Sequence, residues 1–290
     1  MGATALGLYL VTVLIWGSTW LAITFQLETV TPLASVIYRF ALASVLLFGW
    51  CWLKKIPLSL SRREHGFMVL QGSFLFGLNY WLVYLAEQYL ASGLVAVTFS
   101  TIVFFNVINA RVFLRTAVKL KVVLGGLLGL VGVMMLFSRE LGSFRRVDDT
   151  VFGIALALAA TFTASLGNIV ATRNCCTQRS VMAINAWGML YGTLLLLTVA
   201  LALGIDFSFD CGLSYVSSLL YLSVFGSIVT FAAYLKLLAL IGPDKAGYIG
   251  MLIPVIALAL SSVFEDYNWS LPAVIGLCLI LVGNWQVMRK

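Results

Sequence analysis

A group of aromatic and hydroxyl residues interrupts an otherwise apolar N-terminal segment, which contains the sequence LIWGSTWLAITFQ. Trp16, Thr19 and Trp20 fall on one face of a helix because their spacing is i, i+3, i+4. A helix that faces lipid gains nothing from hydroxyl and indole groups, so we expect this face to line a cavity where the two indoles stack on a substrate. Close packing against a neighbouring helix is sufficient to explain Gly17 and Ser18.

Two ionisable residues lie where water is scarce. Arg39 is seven residues past Pro32, about 10 Å along a helix, which places it inside the hydrocarbon region. An arginine at that depth normally faces a polar interior and has a partner. Glu87, at the end of the third apolar segment, is the nearest carboxylate by depth, and Glu28 and Glu265 are the other candidates. Arg39 is therefore predicted to be a counter-charge for a substrate carboxylate or, with Glu87, part of an external gate or of the coupling of transport. The alternative is an arginine that extends to the lipid headgroups.

Other polar side chains in apolar segments are candidate substrate ligands. In a medium without water each needs a partner, which interhelical hydrogen bonds could supply as well as a substrate. The candidates are Asn79, Tyr80, Tyr84, Thr98, Thr101, Asn168 and Tyr248. Tyr84 has a second explanation, because tyrosines are common at the membrane–water interface. Pro254 removes a backbone hydrogen bond and Gly250 eases bending, so their segment is predicted to hold a hinge or a static kink.

The inventory of reactive side chains disfavours an enzyme. The chain has one histidine and five cysteines, without a C-x-x-C pair or a Cys/His cluster, so we expect no metal site, disulfide framework or cofactor. Intramembrane hydrolysis needs a nucleophile with a base, a metal pair or paired aspartates. No Asp or Glu lies in the central part of any predicted span, which also weakens proton-coupled antiport of cations as a function.

The elements that position these residues are transmembrane helices. Of 290 residues, 62% are hydrophobic and 10% are charged, whereas soluble domains carry about 25% charged residues. Ten apolar stretches can each cross a hydrocarbon core of roughly 30 Å as a helix. Their predicted limits are 3–25, 32–53, 66–86, 92–114, 120–138, 151–171, 181–203, 213–238, 246–264 and 270–288. The chain is thus predicted to be an all-α integral membrane protein whose function lies among its helices.

Charges between the spans predict the orientation. Loops after the even-numbered spans carry Lys and Arg, whereas most of the alternate loops carry acidic residues without them. Both termini should therefore be cytoplasmic. The formal charge of +7 is a topology signal and indicates no nucleic-acid partner. The expected partners are the lipid bilayer and a small-molecule substrate.

The sequence repeats itself weakly in two halves. Gly125 and Gly132, seven residues apart, match Gly276 and Gly283 at an offset of 151. The predicted units are two five-helix repeats and an external connecting loop between them, with limits at 1–138, 139–150 and 151–290. Since five is odd, the second repeat must enter the membrane from the other side, which is the inverted arrangement of many secondary transporters.

Four stretches together resemble the ten-helix EamA branch of the drug/metabolite transporter superfamily: WGSTW, TPLASVIYRFALASVLL, YLASGLVAVTFS and GPDKAGYIGMLIPVIALAL. The resemblance covers nearly the whole chain and implies an inner-membrane exporter of small metabolites or drugs, with inverted five-helix repeats around a central cavity. Family members often have prolines in both the fourth and ninth spans, but Val103 occupies the position that matches Pro254. The acidic residue expected near the end of this helix is Glu265 in the second half, where the first half has Leu114. These departures predict an asymmetric cavity.

The predicted function is secondary transport. We expect export of amino acids or related zwitterionic, carboxylate or aromatic compounds by alternating access around a central cavity lined by aromatic and amide groups. A proton-coupled antiporter of cationic or lipophilic drugs is the alternative, and a channel or a structural membrane protein is a weaker one. Ten helices with their own repeat interface are compatible with function as a monomer.

Overall fold

The protein is a bundle of ten helices in a computed structural model that describes residues 2–115, 120–138, 147–175, 179–234, 236–237, 240 and 249–288. Every regular element in these ranges is helical. The helices are α1 (Ala3–Thr24), α2 (Pro32–Leu53), α3 (Arg62–Ala86), α4 (Ser92–Phe99 and Ile102–Leu114), α5 (Leu120–Leu136), α6 (Val147–Cys175), α7 (Val181–Ala202), α8 (Leu213–Tyr234), α9 (Ile249–Phe264) and α10 (Leu271–Met288). The predicted all-helical fold is confirmed.

Most of the helices have the length and composition of membrane spans. Seven of them, α1 to α4 and α6 to α8, are long and apolar enough to cross a membrane. The other three have shorter apolar segments within the described residues, at Val123–Leu136, Leu252–Phe264 and Leu271–Gln286. α6 is longer than its predicted span, because Asp148 and Asp149 in its first turn and Arg173 in its last turn complement the helix dipole.

Local sequence signals fix two of the helix starts. α2 begins at Pro32, whose fixed φ suits the first helical position, and Thr31 Oγ1 accepts a hydrogen bond from the Ala34 N–H. α3 begins after Ser61, whose side chain accepts from the Glu64 N–H while the Glu64 carboxylate accepts from the Ser61 N–H. α3 lines the candidate site described below, and α2 carries Arg39, which lies behind the wall of that site.

Four helices depart from regular α-helical geometry or hydrogen bonding between their ends. α3 and α8 each contain a π-helix, at Gly72–Leu78 and Tyr221–Val229, where i→i+5 hydrogen bonds widen the helix. α4 is divided at Ser100 and Thr101. α9 contains Pro254, which cannot donate a backbone hydrogen bond. The irregular helices are thus the third and fourth of each half.

Glycines allow one of the closest helix crossings. A Cβ at Gly276 would lie 2.5 Å from the Gly132 carbonyl oxygen, and a Cβ at Gly283 would lie 2.6 Å from the Gly125 carbonyl oxygen. The lower-numbered glycine of α5 therefore meets the higher-numbered glycine of α10, which makes the two helices antiparallel. An inverted repeat requires this orientation of its equivalent helices.

Several helix contacts of one half have an equivalent in the other half when each helix is replaced by the helix five places away in the chain. α1 packs on α9 as α6 packs on α4, and α3 packs on α7 as α8 packs on α2. The pairs α2–α7, α4–α9 and α5–α10 map onto themselves. This pattern agrees with two inverted copies, whose limits at 1–138 and 151–290 stay a prediction. Residues 139–146 of the expected connecting loop lie outside the described ranges.

The bundle has two ends, which we name from the chain. The terminal side is the end where α1 begins and α10 ends, and the opposite side is the other end. Odd-numbered helices run from the terminal side to the opposite side, and even-numbered helices run back. The loop charges predict that the terminal side is cytoplasmic, and this orientation stays a prediction.

Candidate functional site

A cavity of about 380 Å³ lies between α1, α3, α4, α6, α8 and α9. It is bordered by the first, third and fourth helix of each half, and its volume is within the range of small-molecule sites. Seven aromatic side chains contribute to its wall, namely Trp16, Trp20, Phe76, Tyr80, Phe99, Phe231 and Tyr234. The polar side chains of the wall are Thr19, Asn79, Ser100 and Asn168.

The aromatic wall is held together by ring contacts and one long-range hydrogen bond. Trp16 lies edge-on to Phe231, with ring centroids 5.3 Å apart, and its indole N–H donates to the Gly226 carbonyl at 3.2 Å. That carbonyl belongs to the π-helix of α8. Trp20 packs on Phe99 at 5.4 Å. Trp16 therefore both lines the cavity and fixes α1 to α8, whereas the Trp20 indole N–H has no hydrogen-bond partner among the described residues.

A few polar atoms of the cavity wall are unpaired among the described residues. Asn79 donates its amide N–H to the Leu75 carbonyl at 3.2 Å, but its buried Oδ1 has no partner. The Tyr80 and Tyr234 hydroxyl groups likewise have no hydrogen bond to a described residue. By contrast, Asn168 donates to Asn106 Oδ1 at 3.3 Å across the α4–α6 contact. The unpaired atoms are one acceptor and several donors, which a ligand could complete.

The wall of the cavity is uncharged. None of the described lining residues is Asp, Glu, Lys, Arg or His. Arg39 lies behind the wall, because its guanidinium carbon is 4.6 Å from the centroid of the Tyr80 ring that faces the cavity. A bound molecule would therefore meet aromatic faces and neutral polar groups, with the nearest cation screened by Tyr80.

Arg39 is buried, as its depth in the sequence predicts, but its partner differs from the expected one. Its side chain is 1% exposed, and Nη1 lies 3.5 Å from the Tyr84 hydroxyl, which donates to Gln26 Oε1 at 2.7 Å. No ion pair joins Arg39 to Glu87 among the described residues. The predicted counter-ion contact is therefore wrong for this conformation, and the alternative of an arginine extended to the headgroups is wrong as well. The guanidinium is held instead by a hydroxyl group and an aromatic face.

Buried hydrogen bonds close the cavity towards the opposite side. The cavity ends there near Val83, beyond which Tyr84 is fully buried and linked to Gln26. The Glu265 carboxylate, just after α9, accepts hydrogen bonds from both the N–H and the hydroxyl of Ser92 at the start of α4. These contacts tie α1 to α3 and α4 to α9 at the opposite side.

Two more contacts on the opposite side involve α8 and the loop before it. The Ser35 and Tyr215 hydroxyl groups are 3.0 Å apart and join α2 to α8. In the connecting loops, Thr29 donates to Asp210 Oδ2 at 2.8 Å, and the Gly212 N–H donates to Asp210 Oδ1. The Gly212 and Thr29 donors hold the pKa of the Asp210 carboxyl below its usual value.

Hydrogen bonds on the terminal side involve a smaller set of elements. Gln71 accepts from Asn174, Arg179 forms an ion pair with Glu64 at 2.8 Å, and His65 Nδ1 lies 2.8 Å from the Tyr191 hydroxyl. These contacts join α3 to α6, to α7 and to the loop between them. Within the described ranges, none of them reaches α1, α4, α8 or α9.

The structure brings together only part of the predicted site. The cavity wall includes Trp16, Trp20, Asn79, Tyr80, Asn168 and the predicted hinge residues Gly250 and Pro254. Arg39, Tyr84 and Glu87 lie outside the wall, towards the opposite side. Thr98 and Thr101 are also outside it, because they are buried and donate to the Leu94 and Thr98 carbonyl groups within α4. Tyr248 lies outside the described residues.

Several wall residues were not predicted from the sequence. Phe99, Phe231 and Tyr234 face the cavity, and so does Ile253 one residue before Pro254. Phe231 and Tyr234 are spaced i, i+3 in the eighth apolar span, which was an available signal. An aromatic pair with this spacing also occurs on helix faces that contact lipid, so the sequence alone does not distinguish a cavity wall from a lipid-facing surface.

Comparisons with known proteins identify the family. The model of the EamA-like transporter family matches the chain twice, over residues 3–138 and 151–289. The uncharacterized inner membrane transporter YedA of Escherichia coli K12 is 28% identical over 277 residues, which cover 93% of this chain and 87% of that protein. The uncharacterized transporter YoaV of Bacillus subtilis is 25% identical, with coverage of 96% and 94%.

Two further matches extend the comparison. Protein PagO of Salmonella typhimurium is 24% identical over 284 residues, covering 96% of this chain and 92% of PagO. A crystal structure of another protein superimposes with a TM-score of 0.69, covering 99% of this chain and 96% of that chain, at 15% identity, and shows the fold alone. The name of YedA describes an inner membrane transporter and that of YoaV a transporter, and transport is not an enzymatic role. With a family model that spans both halves, the chain is a multi-pass membrane transporter and belongs to the EamA-like transporter family.

Proposed function

We propose that the protein exports a small uncharged or zwitterionic metabolite with an aromatic or apolar part, through the described cavity. The observation that carries this proposal is the wall, which combines seven aromatic side chains with no charged residue among those described. Aromatic faces bury large apolar area and stack on planar groups at low entropic cost. A strongly charged molecule would lose its hydration in this cavity without gaining a counter-charge.

The unpaired polar atoms favour a ligand with both donors and acceptors. Asn79 Oδ1 is buried and lacks a donor, so an ammonium or N–H group of a ligand would satisfy it. The Trp20 indole and the Tyr80 and Tyr234 hydroxyl groups can donate to a carbonyl or carboxylate. An amino acid or a related compound supplies both kinds of group. A carboxylate would also benefit from Arg39, provided that the Tyr80 ring between them moves.

Alternating access is the proposed mechanism of movement. Gln26, Tyr84 and the Ser92–Glu265 contact close the opposite side of the cavity, so this conformation separates the cavity from that side. The inverted packing of the two halves supports a second conformation in which the same contacts open, because each half can exchange roles with the other. Gly250 and Pro254 in the wall are proposed as the hinge of α9.

A second candidate function rests on the same aromatic wall. Seven rings around a cavity can also hold an organic cation through cation–π attraction. A proton-coupled antiporter of cationic or lipophilic drugs is therefore the competing proposal. It lacks a carboxylate among the described wall residues, which is the group that would exchange a proton for the drug.

A thermal-shift experiment on the purified protein in detergent tests the two proposals. A ligand that binds the folded state raises the unfolding temperature, and the probes are L-phenylalanine, phenylacetate and tetraphenylphosphonium. The Trp20→Leu variant should lose the shift, whereas Trp52→Leu, which removes a 77% exposed tryptophan of α2, should keep it. Stabilisation by L-phenylalanine supports the proposal of metabolite export. Stabilisation by phenylacetate alone would contradict an uncharged or zwitterionic substrate and would indicate that Arg39 reaches the ligand. Stabilisation confined to the phosphonium cation contradicts metabolite export and supports drug antiport.

Counterflow in proteoliposomes tests the transport mechanism. A carrier loaded with unlabelled L-phenylalanine should accelerate the entry of the labelled compound, because a loaded site returns faster than an empty one. A pore would show no such acceleration, and that result would contradict alternating access.

A further inference from the structure

The buried carboxyl group of Glu87 is the feature of the opposite side that the transport proposal leaves unused. Glu87 follows the last residue of α3, and its side chain is 8% exposed. Neither of its carboxyl oxygens has a hydrogen-bond partner among the described residues. A carboxylate that is buried without donors is strongly disfavoured relative to the neutral acid. The charges around Glu87 must therefore explain how a carboxyl group is accommodated at this buried position.

Three ionisable groups interact across this region of the bundle. The charges of Arg39 in α2 and of Glu265 at the end of α9 both act electrostatically on the carboxyl group of Glu87, which follows α3. Tyr84, one turn earlier in α3, adds its hydroxyl group between Arg39 and Gln26. These are the titratable and charged groups that face Glu87 within the described residues.

The charges of the three groups do not balance if both glutamates are ionised. The Arg39 guanidinium is permanently protonated. The Glu265 carboxylate accepts hydrogen bonds from both the N–H and the hydroxyl of Ser92, which are the contacts that an acceptor-only, ionised carboxylate makes. One arginine and one carboxylate already sum to zero, so ionising Glu87 adds an uncompensated negative charge to a buried group. A proton on Glu87 removes that charge.

We propose that Glu87 is a proton-binding site that couples opening of the opposite side to release of a proton. The inference rests on the proposed transport function, which supplies the second conformation. In the closed conformation the carboxyl group is protonated and shielded from water. When the opposite side opens, water reaches the O–H bond, the proton passes to water, and the carboxylate is free to pair with Arg39. Closing requires the carboxylate to take up a proton again from the opposite-side solution, so the opening equilibrium depends on the pH of that side.

The position of Glu87 suits this role better than a position in the cavity wall. The cavity ends on this side near Val83, which is one helical turn before Glu87 in the same helix. A carboxyl group between the cavity and the opposite-side solution responds to closure without contacting the transported molecule. An uncharged cavity wall and a coupling proton are therefore compatible in one protein.

The first test follows the proton itself in purified protein without substrate. Infrared spectra recorded across a pH titration should show a carbonyl band from a protonated carboxyl group that disappears at high pH. The Glu87→Gln variant should lose this band. Asp266→Asn removes an exposed carboxyl group on the same side and should retain it. A band that persists in Glu87→Gln would overturn the proposal.

The second test follows opening of the opposite side. A cysteine at Val83, with Cys51, Cys175, Cys176 and Cys278 replaced by Ser, reports access from that side to a membrane-impermeant thiol reagent. Its rate is divided by that of the exposed native Cys211, which cancels the pH dependence of the thiol reaction. The ratio should rise by roughly tenfold per pH unit while Glu87 titrates. It should stay low and independent of pH in Glu87→Gln.

The outcomes separate the two proposals. A ratio that does not change with pH in the parent, or changes equally in Glu87→Gln, overturns the coupling role. Both readouts need no substrate, so they stand even when none of the three probe compounds is transported. Conversely, counterflow without a Glu87 infrared band leaves transport supported and removes proton binding at this residue.

Discussion

The two ends of the bundle are held together in different ways. On the opposite side, buried side chains join α1 to α3, α2 to α8 and α4 to α9, so the contacts lie around the mouth of the cavity. On the terminal side, the hydrogen bonds named above join α3 to α6, to α7 and to the loop between them, and residues 116–119 and 241–248 lie outside the described ranges. Among the described residues, the contacts around the mouth of the cavity are those of the opposite side, so variants of these contacts and of the terminal-side contacts should have unequal effects.

The largest effect is expected from Arg39→Gln. The substitution removes a buried cation that contacts the Tyr84 hydroxyl and the Tyr80 ring, and a lost hydrogen bond to a charged group costs about 2 kcal/mol. The unfolding temperature of the purified protein should fall by several degrees. Arg39→Lys keeps the charge but not the planar group, so it should recover part of the loss. An unchanged unfolding temperature in Arg39→Gln would contradict the expectation that contacts on the opposite side contribute more to stability than contacts on the terminal side.

A smaller but more selective effect is expected from Ser92→Ala combined with Glu265→Gln. The double variant removes the charged contact between α4 and α9, which we expect to stabilise the closed state by about 1.4 kcal/mol, equivalent to a factor of about ten in the open population. The reaction rate of a cysteine at Val83 should rise accordingly. Asp266→Asn serves as the control, since that side chain is exposed and adjacent to Glu265.

On the terminal side, Glu64→Gln should change little. Its ion pair with Arg179 is partly exposed, with side chains 16% and 34% accessible, and exposed pairs contribute little to stability. The unfolding temperature and the Val83 cysteine rate should both stay close to those of the parent protein. A rate increase as large as that of the Ser92 and Glu265 double variant would contradict the proposed inequality between the two ends.

The smallest effect is expected in the loops of the opposite side. Thr29→Ala removes one of the donors that lower the pKa of Asp210, so this pKa should rise towards the usual value of about 3.9, as measured by an NMR pH titration. Because the folded pKa is lowered, the stabilisation from Asp210 is present above the unfolded value and is lost as pH falls through the folded value. Thr24→Ala, which removes a donor to the Leu21 carbonyl, should leave the Asp210 pKa unchanged.

Much of the fold followed from hydropathy, because a helix in lipid must be long and apolar. The predicted spans agree with the described helices to within a few residues, and the largest differences are the earlier start of α3 and the longer α6. The π-helices could not be predicted in the same way. The stretch GSFLFGLN has no proline or charged residue, and the π-helix lies where Gly72 closely approaches Gly188 and Gly192 in α7. Helix propensities depend on the local sequence and therefore do not predict contacts of this kind with another helix.

The candidate site was predictable where polarity was out of place. Trp16, Trp20, Asn79 and Tyr80 stood out because lipid does not favour indole and amide groups on a helix, and all four line the cavity. The rule failed for Tyr84, since a polar group at the right depth can equally serve a buried hydrogen bond to another side chain. The search for polar residues in apolar segments also missed wall residues such as Phe231, because an apolar ring is equally common on a helix face that contacts lipid and on one that lines a cavity.

The π-helix of α3 makes the cavity sensitive to chain length as well as to residue type. A widened turn contains more residues than an α-helical turn of equal height, and one residue corresponds to about 100° of rotation in an α-helix. Deletion of a single residue from Gly72–Leu78 would let the segment relax to an ordinary helix and turn the rest of α3 by that angle. Asn79 and Tyr80 would then point away from the cavity, although no wall side chain had been altered. An in-frame deletion of one codon is therefore expected to be more damaging here than most substitutions.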